Sequence, residues 1–338
     1  MATLASSVLT LNDWAKRLDP NGKTATVVEL LSQSNQVISD MPFMEGNLPT
    51  GHQITQRTGL PTVYYRLMNQ GVPKSKSTTA QIVESVAQLE ARSEVDKDEA
   101  ELNGNVNQYR LSESMAFMEA MNQKHATTLF YGTAANPEQF VGFAPRYSSL
   151  TATNGQNILS ADGTGSDNCS IWLVGWGDAG CYGIFPKGSK AGLEHEDLGL
   201  GDAFDGSNNR FRAYMDRYVW KAGLCVKDWR YAVRIANIDV SDLAGLTGTQ
   251  AIGASTNIIK LMSRAIDRLP SMNGISPVFY VNRTVASHLR LVGLDKSASA
   301  VTVEPGLNQF GKTIFETRFL GIPVRLVDAL TVAETAVS

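Results

Sequence analysis

The sequence predicts an α+β fold, and three patterns carry that prediction. Leu111, Met115, Met118, Ala126 and Leu129 form a helical stripe that Gly132 is placed to end, since apolar residues three, four and seven apart share one helix face. Between Arg210 and Ile238 the apolar period falls to two. The last third then alternates helix and strand.

The chain opens with an arm, residues 1–45. Leu11, Trp14 and Leu18 fall at i, i+3 and i+7 on a short helix opened by Thr10 or Asn12, and Asp19-Pro20-Asn21-Gly22 breaks it. A second helix carries Val27, Leu31, Ile38 and Met41 on one face. Two such short amphipathic helices dock on their own domain or on a neighbour.

From Gly46 the period is two. His52–Thr58 and Thr62–Gln70 read as paired strands around Gly59-Leu60-Pro61, the second rich in the β formers Val63, Tyr64 and Tyr65. Neither strand has a core-like face, so the hairpin, residues 46–76, is expected to project and to need a partner surface. Residues 77–102 fit either element: Ile82, Val86 and Leu89 suit a helix, and the same stretch tolerates a strand. The long helix is expected over about 105–131. Residues 133–168, full of Gly, Pro, Ser, Thr and Asn, read as loop.

Ser170–Val174 and Cys181–Phe185 are expected as strands flanking a Gly-rich turn, followed by strands Arg210–Leu224 and Arg230–Ile238. Residues 239–254 resemble a linker. Ile258, Leu261, Met262, Ala265, Ile266 and Leu269 give a helix stopped by Pro270; Val278–Val281 is a buried-type strand; Asn282 caps a helix with Val285, Leu289 and Val292 that Gly293 ends. A polar loop over 295–312 leads to strands Thr313–Phe319 and Pro323–Val327, with Gly321 at the turn.

Composition excludes several classes. With 338 residues, 43% of them hydrophobic and only 19% charged, the chain can bury a core without disulfides and is too apolar for wholesale disorder. Thirty basic against 33 acidic residues leave a net charge of −3 with no basic cluster, which excludes a histone-like arm that gains affinity by releasing phosphate counterions. Cys169, Cys181 and Cys225 are odd in number and widely spaced, indicating buried reduced thiols in a cytosolic setting rather than a disulfide frame or zinc knuckle. No apolar run reaches the length of a membrane helix, and Met1–Leu11 lacks the order of a signal peptide.

Two strings imitate nucleotide sites. Gly306, Gly311, Lys312 and Thr313 fit the P-loop spacing, which would make the chain a nucleotide-binding ATPase. The context argues against it: a strand pattern follows Thr313, where the anion needs a helix N-terminus, and too few residues remain to build the domain. Gly175, Gly177 and Gly180 match the dinucleotide fingerprint but lead into Cys181–Phe185, another strand, and a connection between antiparallel strands explains the glycines. Glu194-His195-Glu196-Asp197 reads as a solvated loop before it reads as a metal site. Nothing assembles a nucleophile, base and orienter. No catalytic residue, cofactor or metal is expected.

The order of these features resembles the major capsid proteins of tailed bacteriophages, with their Hong Kong 97-like capsid fold. Residues 1–45 resemble the family's N-terminal arm and residues 46–76 its extended β-hairpin loop. Ile82–Leu102, with Ala91-Arg92-Ser93-Glu94, is similar to the strand leading into the long spine helix. Tyr131-Gly132 and Gly142-Phe143-Ala144-Pro145 resemble the Gly/Pro segment that follows. Pro277–Thr284 with Leu289, then Phe319–Val324 with Asp328-Ala329-Leu330, are similar to the strand–helix and closing strands of the axial α/β domain.

The resemblance implies a peripheral domain over 77–238, with its β-sheet in 170–238, and an axial domain over 239–338. Because a peripheral return segment normally follows the axial domain and only eight residues follow Leu330, a rearranged chain order is expected, with residues 210–238 beside residues 82–102. It further implies a self-assembling structural subunit of an icosahedral head, not an enzyme, forming pentamers and hexamers around double-stranded DNA held without sequence-specific contacts. Scaffolding, portal and decoration proteins are the implied partners, and the virion the implied location, after assembly in the host cytoplasm. Leu11, Trp14, Leu18, Val63, Tyr64 and Tyr65 are the candidate intersubunit contacts. Some relatives crosslink a loop lysine to a neighbour; Lys74 and Lys76 read here as surface lysines.

Overall fold

The computed structural model describes residues 33–102, 105–294 and 301–338, except positions 206, 244, 246, 252 and 308–312. The first arm helix, with Leu11, Trp14 and Leu18, and most of the second lie outside the described residues. In chain order the strands are β1 Phe43–Glu45, β2 Gly51–Gly59, β3 Thr78–Asp96, β4 Ile158–Ser160, β5 Asn168–Trp176 and β6 Cys181–Phe185. They continue as β7 Leu193–Phe204, β8 Arg210–Val226, β9 Ala232–Asp239, β10 Ser276–Val281, β11 Val301–Leu307, β12 Thr313–Phe319 and β13 Ile322–Leu326.

The chain divides into two compact units. One collects Gln33, Gln88–His125 and Gly192–Lys221; the other collects Ser34–Ala87, Ala126–Ala191 and Ala222–Ser338. The larger unit is organised by β5, which is buried along its whole length. It pairs antiparallel with β9 on one side and β10 on the other. The sheet continues from β10 to β13 in parallel, then to β12 and β11 antiparallel, while β4 flanks β9.

Burial on both faces explains why β5 lacks polar alternation. Ile171 and Leu173 face one core with Val233, Ile235 and the helices Ile258–Arg268 and Arg283–Leu294. Trp172, Val174 and Trp176 face the other with Phe130, Phe143, Tyr147 and Tyr280. Phe130, Phe143 and Tyr147 each lie within 6.2 Å of the Trp172 ring centroid in tilted or edge-on packing, the geometry aromatic quadrupoles prefer.

Local signals end several elements as expected. Asn257 and Asn282 accept from the backbone N–H two residues on, capping the helices Ile258–Arg268 and Arg283–Leu294. Gly132 N–H closes the last turn of the long helix on the Thr128 carbonyl, and a Cβ there would collide with the Phe140 carbonyl oxygen. Only glycine fits. Gly321 has φ +82° at the turn into β13, the left-handed region that glycine enters freely.

A buried ionic knot fastens the C-terminal segment to this sheet. Arg234 Nη2 donates to Glu334 Oε2 at 2.9 Å, its Nη1 to the Tyr147 carbonyl at 2.7 Å and its Nε to Ser170 Oγ at 3.1 Å. The guanidinium also lies 5.3 Å from the Trp172 ring centroid. Ser170 Oγ bonds the same Glu334 carboxylate, whose other oxygen accepts from Tyr131 OH at 2.6 Å. A second pair, Arg146 to Glu84, is two-pronged at 2.6 Å for each bond, a geometry specific to the guanidinium fork.

The structure corrects several sequence readings. Residues 62–70 do not pair with β2; its partner is β3, with Ile54 opposite Ile82 and Gly51 opposite Ser85. Strand propensity at Val63-Tyr64-Tyr65 reports side-chain type, whereas pairing follows the residues that can seat Ile54 against Tyr182 and Ile184. The hairpin therefore begins later and ends later than residues 46–76, and residues 60–77 form its loop. The Glu194–Asp197 stretch is not a loop; it lies in β7, paired with β8, because flanking charged residues suit a one-sided strand. β5 and β6 meet in parallel at Trp176 and Cys181 rather than as an antiparallel pair.

Residues 170–238 also divide. β8 lies beside β3, whereas β9 pairs with β5 and so joins the sheet of the last third, away from residues 82–102. Neither the 77–238 nor the 239–338 boundary matches a compact unit, because β5 and β9 share one buried sheet with β10.

Glu334→Ala should lower thermal and denaturant midpoints sharply, by the ~3–5 kcal/mol typical of stranding one member of a buried pair. Glu334→Gln, which retains a carbonyl acceptor for Tyr131, should cost less.

Candidate assembly surfaces

The loop over 60–77 is stiff at its base and apolar along its length. Thr58 and Thr78 hydroxyls meet at 3.2 Å where the strands part, and Ser75 Oγ donates to the Thr62 carbonyl at 2.7 Å. At the tip Gln70 N–H bonds the Leu67 carbonyl, with Asn69 at φ +66°. Pro61 and Pro73 each remove a backbone donor, so the legs do not extend the sheet. Val63, Tyr65 and Met68 are 86%, 109% and 93% exposed, and Leu60, Tyr64, Leu67 and Val72 are also exposed. Seven large apolar side chains in one loop exceed the scattered exposure normal for a monomer surface.

Of the predicted contacts, the structure brings Val63, Tyr64 and Tyr65 together on this loop. Leu11, Trp14 and Leu18 fall outside the described residues. Leu60, Leu67, Met68 and Val72 were not singled out in the sequence, since isolated apolar residues between prolines carry no period. Lys74 and Lys76 are exposed on the returning leg.

In the smaller unit the long helix, Val106–Tyr131, presents a second apolar face. Leu111, Met115 and Met118 look like a core stripe in the sequence but are exposed, whereas Tyr109 and Met121 are buried. The turned-in face mixes these apolar residues with polar ones. Arg110 bonds Asp197 at 2.7 Å and Asp216 at 2.8 Å, and its guanidinium lies 5.2 Å from the Tyr214 ring centroid. His195 Nε2 lies 2.8 Å from the same Asp216 oxygen, and Ser114 Oγ lies 2.6 Å from Tyr218 OH. Arg217 joins Glu90 at 3.0 Å and Glu196 at 3.3 Å.

These ion pairs set the local electrostatics. The hydrogen bond from Arg110 holds the Asp197 carboxyl below its usual range, and Arg217 with Arg92 lowers that of Glu90 to about 2. His195, Glu196 and Asp197 are thus engaged with β8, the long helix and each other's partners. Among the described residues no three His, Cys, Asp or Glu side chains group to hold a metal.

The two nucleotide-like strings have other geometries. Gly306 and Leu307 end β11 opposite Ile314 and Thr313 of β12. Thr313 starts a strand, so no helix N-terminus follows the string. Gly175–Gly180 ends β5 and turns into β6, with Gly177 N–H bonded to the Cys181 carbonyl. Cys169, Cys181 and Cys225 are buried and unbridged, and burial pushes the Cys225 thiol up to about 11.

A two-faced α/β core, a projecting apolar loop and a long helix with an uncovered face define a structural subunit of the capsid type. The chain belongs to the family of major capsid protein GP7, whose model matches residues 19–338. No curated protein matches the sequence. Among solved structures it is similar to a chain in the near-atomic cryo-EM structure of bacteriophage Epsilon15, with 31% identity, a TM-score of 0.76, and coverage of 100% of this chain and 99% of that one. The bacteriophage JBD30 capsid matches at 10% identity and a TM-score of 0.48 over 90% of this chain and 93% of that one. The fold is Hong Kong 97-like.

Acid should weaken the smaller unit through His125, which stacks on Trp220 with ring centroids 4.3 Å apart. Burial lowers its imidazole from 6.5 to about 4, so the unfolded chain takes up a proton that the folded one refuses. The folded state is fully favoured above pH 6.5 and loses stability as pH falls through the window to about 4. Melting measured between pH 7 and 5 should fall by the equivalent of about 2 kcal/mol, and His125→Phe should flatten that dependence.

Proposed function

We propose that this chain is the repeating subunit of an icosahedral phage head, arranged in pentamers and hexamers around packaged double-stranded DNA, and that it catalyses no reaction. Of the six candidate contacts, Val63, Tyr64 and Tyr65 make the contacts between subunits. The observation that carries this reading is the 60–77 loop, whose apolar side chains no element among the described residues covers. Burying each of them against a neighbour contributes about 1.5–3 kcal/mol, repeated at every copy of a closed symmetric interface. Assembly is then driven by mass action.

The wider setting belongs to the same proposal. The head assembles in the host cytoplasm with scaffolding and portal proteins, takes up decoration proteins, and resides in the virion. The net charge of −3 fits a lumen that does not grip its genome, because sequence-independent DNA affinity grows with each phosphate neutralised. Among the described residues no helix is long and apolar enough to cross a membrane.

Electron microscopy and sedimentation of the purified chain test the reading. The parent protein should form closed particles, and Tyr65→Asp with Met68→Asp should raise the concentration needed for assembly at least about tenfold while the melting temperature holds. Lys312→Ala should leave assembly unchanged, and calorimetric titration with ATP should give no binding in either protein. A subunit that stays monomeric at high concentration would overturn the proposal.

A further inference from the structure

The uncovered face of the long helix and the point where the arm reaches it lie on one line. Gln33 N–H donates to Glu119 Oε1 at 2.9 Å. Glu119, Met115 and Leu111 are spaced by four residues, so they follow one another along a single helix face. Leu111 and Met115 are 60% and 58% exposed. Downstream of this contact the chain is pinned: Ser34 N–H bonds Asp328 Oδ2, and Gln36 N–H bonds the Leu326 carbonyl. The preceding residues therefore start from a fixed point on the helix, at one end of its apolar stripe.

We propose that the arm segment 11–18 covers the Leu111, Met115 and Met118 face of its own subunit's long helix. The sequence spacing of Leu11, Trp14 and Leu18, three and then four residues, matches three side chains spaced by four and three, and thioether sulfur packs well on an indole ring. The tether is ample. Residues 19–32 span up to about 46–50 Å when extended, against about 12 Å of helix from Glu119 back to Leu111. A tether of this length holds the segment at an effective concentration near millimolar, above that of any second copy in dilute solution, which favours the arm's own helix over a neighbour's.

Full-length subunits kept dissociated by dilution provide the test, so the result is independent of whether shells form. Trypsin cuts after Lys16, Arg17 and Lys23 at a rate that follows the undocked population. Met115→Asp, at an exposed position that the fold does not need, should speed cleavage at these sites at least about tenfold with unchanged melting. Leu18→Asp should do the same from the other side. Equal rates in the parent and both variants overturn the proposal. The three native cysteines are buried, so Leu18→Cys with Met115→Cys can be joined selectively by a short bismaleimide. A link within one chain, seen as a monomer by mass, is the expected product; a linked dimer, or no link, contradicts docking on the same subunit.

Discussion

One chain here satisfies only part of its own apolar surface, and everything else in the molecule is arranged around that shortfall. β5, buried on both faces, anchors two cores that hold the aromatic cluster around Trp172 and the helices behind Ile171 and Leu173. From the margin of its sheet β2 and β3 carry a loop whose Val63, Tyr65 and Met68 lie in solvent. A domain of this size has enough core to leave a loop unburied and still fold, so the exposed residues are free for the contacts proposed for them.

Polar chemistry is divided along the same lines. Where the subunit must hold together, charge is buried and fully partnered, as in the Arg234, Glu334, Ser170 and Tyr131 knot. Removing one member of such a group strands the others in low dielectric, so the knot specifies one arrangement of the C-terminal segment. In the smaller unit the charges are more exposed, and Arg217, Glu90 and Glu196 are screened by water. Those pairs fix the register of β7 on β8 and of the long helix through Arg110 without adding much stability.

Much of the fold was legible in the sequence where local chemistry decided it. The long helix, its end at Gly132, the Asn282 cap and the alternation of the last third follow from period and capping alone. The failures share one cause. Period shows that residues share a face but not which neighbour lies opposite. Leu111, Met115 and Met118 have the spacing of a core stripe, yet the face turned inward carries Tyr109, Arg110 and Ser114. Val63 and its two tyrosines have strand propensity, yet β3 takes their place beside β2. The loop itself was legible in outline because Pro, Gly and aromatic residues crowd together there, but the exposure of Leu67, Met68 and Val72 became visible only with the backbone in place.

Hydrogen exchange over residues 60–77, compared between isolated subunits and assembled particles, tests the central claim most directly. Among the described residues only three backbone bonds or side-chain clasps hold these legs, so exchange should be fast when the chain is alone and slow once neighbours cover the loop, with β5 protected in both. Equal, fast exchange of residues 60–77 in the two states would mean that the loop stays uncovered, and the shortfall would not be what joins the subunits.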